Sequence, residues 1–214
     1  MRVNILKRME SSIFSFGLTV GRLLNQIDNS LGKINNPKYE EEIEETEIDE
    51  IDVDDPRMDD VLIGSKKVKV LLKDMDLIRF KQDLTADQIF LTSILQTAQE
   101  IDISRDAKLQ KLKQEILFKI QNPINADNKK LIVFTAFADT ANYLYKELSS
   151  WTLSTLGIHS GLITGSGTNK TTLKSLGTDL NTLLTTFSPI SKERNKTNIS
   201  ETDELDLLIA TDCI

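Results

Sequence analysis

The chain has 214 residues, 39% hydrophobic and 28% charged, with a formal net charge of −7. That length suits one full domain or two small units, and no apolar run approaches the ~20 residues of a membrane span. The single cysteine, Cys213, excludes an internal disulfide framework and a cysteine-built zinc site.

The opening MRVNILKRMESS has no apolar signal-peptide core, so the chain reads as soluble and cytoplasmic, with no membrane partner. Leu6, Met9, Ile13, Phe16, Val20, Leu23, Ile27 and Leu31 then recur at intervals of three and four. This spacing predicts one long amphipathic helix over 1–36. Gly17 and Gly21 lie inside it and each costs roughly 1 kcal/mol relative to Ala. Such a helix needs a packing partner, either the rest of its own chain or a second helix in a coiled coil.

The charge is uneven. Residues 40–60 hold thirteen acidic side chains and one basic one, Arg57. Removing them from the 33 acidic and 26 basic residues of the chain leaves 20 and 25, a net of +5 elsewhere. The run repels itself and carries little apolar surface, so 37–62 reads as an acidic linker or solvated loop. A nucleic-acid mimic or a docking site for a basic partner is the sharper alternative.

Residues 63–122 read as helical. Thr85 with Gln88 has capping-box spacing, and Phe90, Ile94, Ala98 and Ile101 would form the face behind it. Ser104 offers the next cap, with Leu109, Leu112, Ile116 and Ile120 as the following face. Lys108, Lys111, Lys113 and Lys119 read as solvated surface, and Asn122-Pro123 ends the helical part.

From 123 to 214 the period changes. Strands are expected at 130–135, 156–160 and 205–211, with a helix from about 137 to 150 crossing between the first two. The loop GSGTNKTT and a second helix in LGTDLNTLLTTFS complete the alternation, and 188–203 reads as a long loop. The fold class is therefore α/β, a parallel sheet with flanking helices preceded by a mostly helical region.

Ligands of open α/β sheets bind at the carboxyl ends of the strands. Two such ends are Thr135 through Asp139, and Thr211 with Asp212. The plainer role for either aspartate is to cap the helix that follows. GSGTNKT resembles a phosphate loop but fails on spacing, because Asn169 stands where a glycine must precede the lysine. His159 has no evident nucleophile beside it and reads as structural, Cys213 reads as packing, and the carboxylates show no metal-ligand spacing.

The segment KKLIVFTAFADTANYLYKEL, Lys129 to Leu148, resembles motif IV and the following helix of the second RecA-like lobe of Swi/Snf-type superfamily 2 ATPases. ELDLLIATDCI, Glu204 to Ile214, is similar to the start of motif V, which in bacterial relatives continues through Ser-Glu-Gly-x-Asn-Leu. DAKLQKLKQEI resembles the helix ahead of that lobe, and ILKRMESSIFSF, Ile5 to Phe16, resembles text found between the two lobes. The resemblance implies an incomplete RecA-like sheet over 123–214. It also implies Thr135, Phe137, Asp139, Thr211 and Asp212 as positions near the nucleic-acid backbone or the interlobe cleft. The parent would bind ATP and Mg²⁺ with its first lobe and act on nucleic acid, double-stranded DNA by preference, in the bacterial cytoplasm or nucleoid.

This sequence has no Walker A loop, no acidic Walker B pair and no motif VI arginine. In the family those parts hold and polarise the nucleotide, so the chain alone is expected to be inactive and to bind no cofactor. Two other readings stay open. One is a non-catalytic binding module that uses its helices and acidic segment. The other is a small nucleotide-binding α/β protein, which the failed phosphate loop disfavours.

Overall fold

A computed structural model describes residues 2–35, 62–65, 68–71, 74–165 and 169–211. The expected acidic linker, apart from its last residue Leu62, lies outside these residues, as do Asp212 and Cys213. In chain order the elements are α1 (Arg2–Ser11), α2 (Ile13–Ile34), β1 (Leu62–Ser65), β2 (Val68–Leu71), α3 (Leu77–Gln99), α4 (Ala107–Gln121), β3 (Leu131–Phe134), α5 (Ala138–Trp151), β4 (His159–Ile163), β5 (Lys170–Thr171), α6 (Leu180–Phe187) and β6 (Leu205–Ala210). They form two compact units, residues 1–16 with 99–214, and residues 17–98. This division departs from the sequence reading, in which the acidic run is the boundary. Among the described residues, no helix is long and apolar enough to cross a membrane.

The larger unit is α/β, built on a four-stranded mixed sheet in the order β3-β6-β4-β5. β6 runs parallel to β3, from Leu131 opposite Leu207 to Phe134 opposite Ala210, and parallel to β4 on its other side. It is the central strand. Leu205, Leu207, Leu208, Ile209 and Ala210 are all fully buried, as a near-continuous apolar run in a covered strand must be. α5 leaves β3 and returns at β4, so it crosses the place that β6 later fills. α4 and α5 cover one face, where Leu109, Ile116, Ala141, Leu148 and Leu162 form the core with Leu112 and Ile120 beside them. α6 covers the other face through Leu183 and Phe187.

The parallel pairing of 130–135 with 205–211 agrees with the sequence reading, and two details differ. β4 starts at His159 rather than 156, because a π-helical turn, Thr152–Leu156, prolongs α5 until Gly157 stops it at φ 67°. Only glycine adopts that left-handed conformation at no cost. The GSGTNKTT loop contributes β5, which pairs antiparallel to β4 and makes the sheet mixed. β3 is not buried on both faces: Leu131 and Val133 pack against the core, while Ile132 and Phe134 are exposed. It is an edge strand, and α6 lies over its neighbours.

The helix starts also move. Asp106, not Ser104, caps α4 by accepting from the Leu109 N–H at 2.9 Å, and Ser104 instead donates to Asp102. Asp76 stands just before α3, and its carboxylate accepts from the Arg79 N–H. Thr85 is therefore inside the helix, bonded back to the Lys81 carbonyl, and Phe90 is exposed. A carboxylate competes well for these positions because it accepts a charge-assisted bond at the positive end of the helix.

In the smaller unit, α2 from Gly17 onward lies against α3. Gln88 donates to Asp28 at 2.5 Å and Lys81 donates to Asn35 at 2.6 Å. β1 and β2 form an antiparallel hairpin with Leu62 opposite Leu71. The helical reading of 63–122 omits it, although the β-branched residues of LIGS and VKVL favour strands.

Candidate functional site

Three parallel strands end on one edge, and each is followed by a threonine: Thr135 after β3, Thr211 after β6 and Thr164 after β4. The Thr135 N–H donates to the Ala210 carbonyl at 3.0 Å, and the Thr211 N–H donates to Ile163 at 3.1 Å. These bonds carry the ladder one residue past each strand and bring the hydroxyls to the carboxyl edge. Thr211 Oγ1 accepts from the Gly165 N–H at 3.4 Å. Thr164 is buried, and its Oγ1 has no hydrogen-bond partner among the described residues. An unsatisfied buried hydroxyl costs free energy, so native folds keep few of them.

Thr164 is the residue that sequence reasoning missed. Its signal was present, since LIVFT, LIAT and GLIT each place a threonine straight after an apolar strand. Asp212 lies outside the described residues, so of the two strand-end pairs only Thr135 and Thr211 are brought together.

Phe137 is the N-cap residue of α5, in extended conformation, and its N–H meets Thr135 Oγ1 at 3.4 Å. Asp139 sits in the first turn and does not cap the helix, which corrects the plainer sequence reading. It accepts instead from Arg8 Nη1 of α1 at 2.9 Å. The Arg8 guanidinium also lies over the Phe137 ring, 4.7 Å from its centroid.

This contact belongs to a longer seam. Ser11 Oγ is 3.4 Å from Thr135 Oγ1 and 3.0 Å from Thr140 Oγ1, and Ser15 Oγ is 2.7 Å from the same Thr140 oxygen. Phe14 stacks on Tyr143, ring centroids 4.7 Å apart. Arg8, Ser11, Phe14 and Ser15 occupy one side of α1–α2 at helical spacing and meet Asp139, Thr140 and Tyr143 on α5. The apolar stripe predicted from Leu6 and Met9 is not the buried one here: both are exposed, whereas Ser12 and Ser15 are buried. Small hydroxyl side chains let the backbones approach and satisfy one another across the contact.

The Tyr143 hydroxyl donates to Asp106 Oδ2 at 2.8 Å. Burial, and then this carboxylate, hold its proton well above the ordinary phenol range. His159 Nδ1 lies 3.0 Å from Thr172 Oγ1. Among the described residues, no group of three or more His, Cys, Asp or Glu side chains could hold a metal ion. The edge brings together the Thr135 and Ser11 hydroxyls, the Arg8 guanidinium and the Asp139 carboxylate. No protein-family model, curated protein or solved structure matches this chain.

Proposed function

We propose that this chain carries the interlobe helical region and part of the second, RecA-like lobe of a Swi/Snf-type DNA-dependent ATPase. The observation that supports it best is the pairing of β3 with β6. Lys129–Leu148 and Glu204–Ile214 resemble two separate motor motifs, and their strands lie side by side and parallel. Both motifs therefore end on one edge, with Thr135 and Thr211 close to each other there.

In this reading the edge meets the phosphodiester backbone of duplex DNA, and Thr135, Phe137, Asp139, Thr211 and Asp212 lie at that contact or at the cleft towards a first lobe. ATP and Mg²⁺ belong to that first lobe. The residues present do not fit them alone, because the one glycine-rich loop has Asn169 before its lysine. The chain contributes DNA contact and a surface against which the nucleotide-bearing lobe closes.

The test is the reading frame around the coding sequence. A Walker A codon run upstream and Ser-Glu-Gly directly after Ile214 are the expected result. A frame that continues in both directions into unrelated sequence overturns the motor reading.

A further inference from the structure

The geometry points to Arg8 as a phosphodiester-binding residue at the carboxyl edge of the sheet, supplied by α1 rather than by the strands. The assignment rests on the nucleic-acid reading above and adds a contact that reading does not contain. Arg8 reaches the edge from 131 positions away in sequence. It is held there on two sides, by the Asp139 carboxylate and by the face of Phe137. A planar fork fixed by a stack and one acceptor has lost most of its rotamer freedom before a ligand arrives.

Asp139 is the acceptor for one Nη1 bond, and a guanidinium has five N–H donors. The Arg8 side chain is 26% exposed, so a phosphate oxygen can reach it. One turn on from Arg8, Ser11 brings its hydroxyl within 3.4 Å of the Thr135 hydroxyl at the same edge. As a brace alone the pair would be a poor device, since a partly exposed single-bond ion pair adds little to stability. As a binding group it is well placed: the aspartate aims the arginine, and the incoming phosphate takes the donors left over.

The experiment uses the whole chain and a short DNA duplex at low ionic strength, with affinity measured by fluorescence anisotropy across a salt series. Arg8→Gln is expected to weaken binding roughly tenfold and to reduce the log–log salt slope by about 0.9, the loss of one phosphate contact. Arg8→Lys should keep the slope and lose part of the affinity. Asp139→Asn keeps an oxygen that can accept from Arg8 Nη1 and so aim it, but removes the carboxylate charge that repels an incoming phosphate, and should tighten binding. A purely structural role predicts that Asp139→Asn weakens binding as Arg8→Gln does, and that result overturns the assignment. So does an equal slope change in Lys146→Gln, an exposed lysine on α5, because the attraction would then be diffuse.

A nitrogen-15 titration of the Arg8 side chain separates the sources of phosphate. Its Nε signal should move with duplex and not with inorganic phosphate at the same phosphate concentration. An equal response to inorganic phosphate overturns the backbone assignment. Duplex binding that is indifferent to Arg8→Gln removes this inference and leaves the motor reading standing. No duplex binding at all by the native chain removes the inference, while the reading-frame test still decides the motor reading separately.

Discussion

Tyr143 joins three parts of the larger unit through one side chain. Its ring stacks on Phe14, its backbone belongs to α5, and its hydroxyl bonds the cap residue of α4. Ionising it would place an anion against Asp106 in a buried setting, so its folded proton affinity lies above the unfolded value of 10.0. The native state therefore holds a proton that the unfolded chain releases, and stability falls as pH rises above about 10. Below that value the contribution is complete. Urea melts between pH 8 and 11 should show the decline in the native protein, and Tyr143→Phe should flatten it while losing about 1–2 kcal/mol at neutral pH. A decline of equal steepness in the variant would assign the effect to other groups. At this scale the sequence was partly legible. Thr135 and Thr211 stood out because they follow apolar strands, whereas Thr164 was hidden by the tempting glycines after it. Arg8 and Ser11 could not be read at all, because their role depends on a contact more than 120 residues away.

Elements were more legible than their ends. The strands β3 and β6 and the inner face of α4 follow from apolar runs and helical spacing, since burial repeats with the period of the element. Caps depend on single side chains competing for the same N–H groups, and Asp76 and Asp106 outcompete Thr85 and Ser104. α6 shows the same chemistry at Asp179, which accepts from the Thr182 N–H at 2.9 Å and has its carboxyl pKa lowered by bonds to that residue. Asp179→Ala should cost about 1 kcal/mol in thermal or urea melts, and Asp179→Ser should recover most of it. Glycines give a sharper pair of expectations. A Cβ on Gly161 of β4 would meet Leu205 at 3.0 Å and Leu208 at 3.2 Å, and both leucines are fully buried. Gly161→Ala should therefore destabilise by about 1–3 kcal/mol. A Cβ on Gly21 of α2 meets nothing within 4 Å. Gly21→Ala should stabilise by about 0.5–1 kcal/mol, through helix propensity alone. Equal effects at the two positions would mean that the close approach in the sheet is relieved by movement of the leucines.

The whole chain tests the motor reading through what it should fail to do. Phosphoryl transfer needs the nucleotide phosphates cradled, a metal ion held between them, and positive charge aimed at the transferring group. The sequence has no phosphate loop of the required spacing, and among the described residues no acidic cluster could hold a metal. An arginine finger alone is worth roughly 10³ to 10⁵ in rate. Arg8 cannot serve as one here, because the sequence has no phosphate loop to bring a nucleotide to it. Residues 1–214 should therefore hydrolyse no ATP above background, with or without duplex DNA. DNA binding should be weak and fall steeply with salt, because few phosphates are contacted and the thirteen carboxylates of 40–60 compete for the same basic groups. Replacing those carboxylates with their amides should strengthen binding at low salt and have little effect at high salt, where the repulsion is already screened. Both measurements need only purified chain, a phosphate-release assay and a labelled duplex. DNA-stimulated turnover that survives controls for a contaminating ATPase would mean that this chain forms a complete nucleotide site of its own. The division of labour between two lobes would then not describe it.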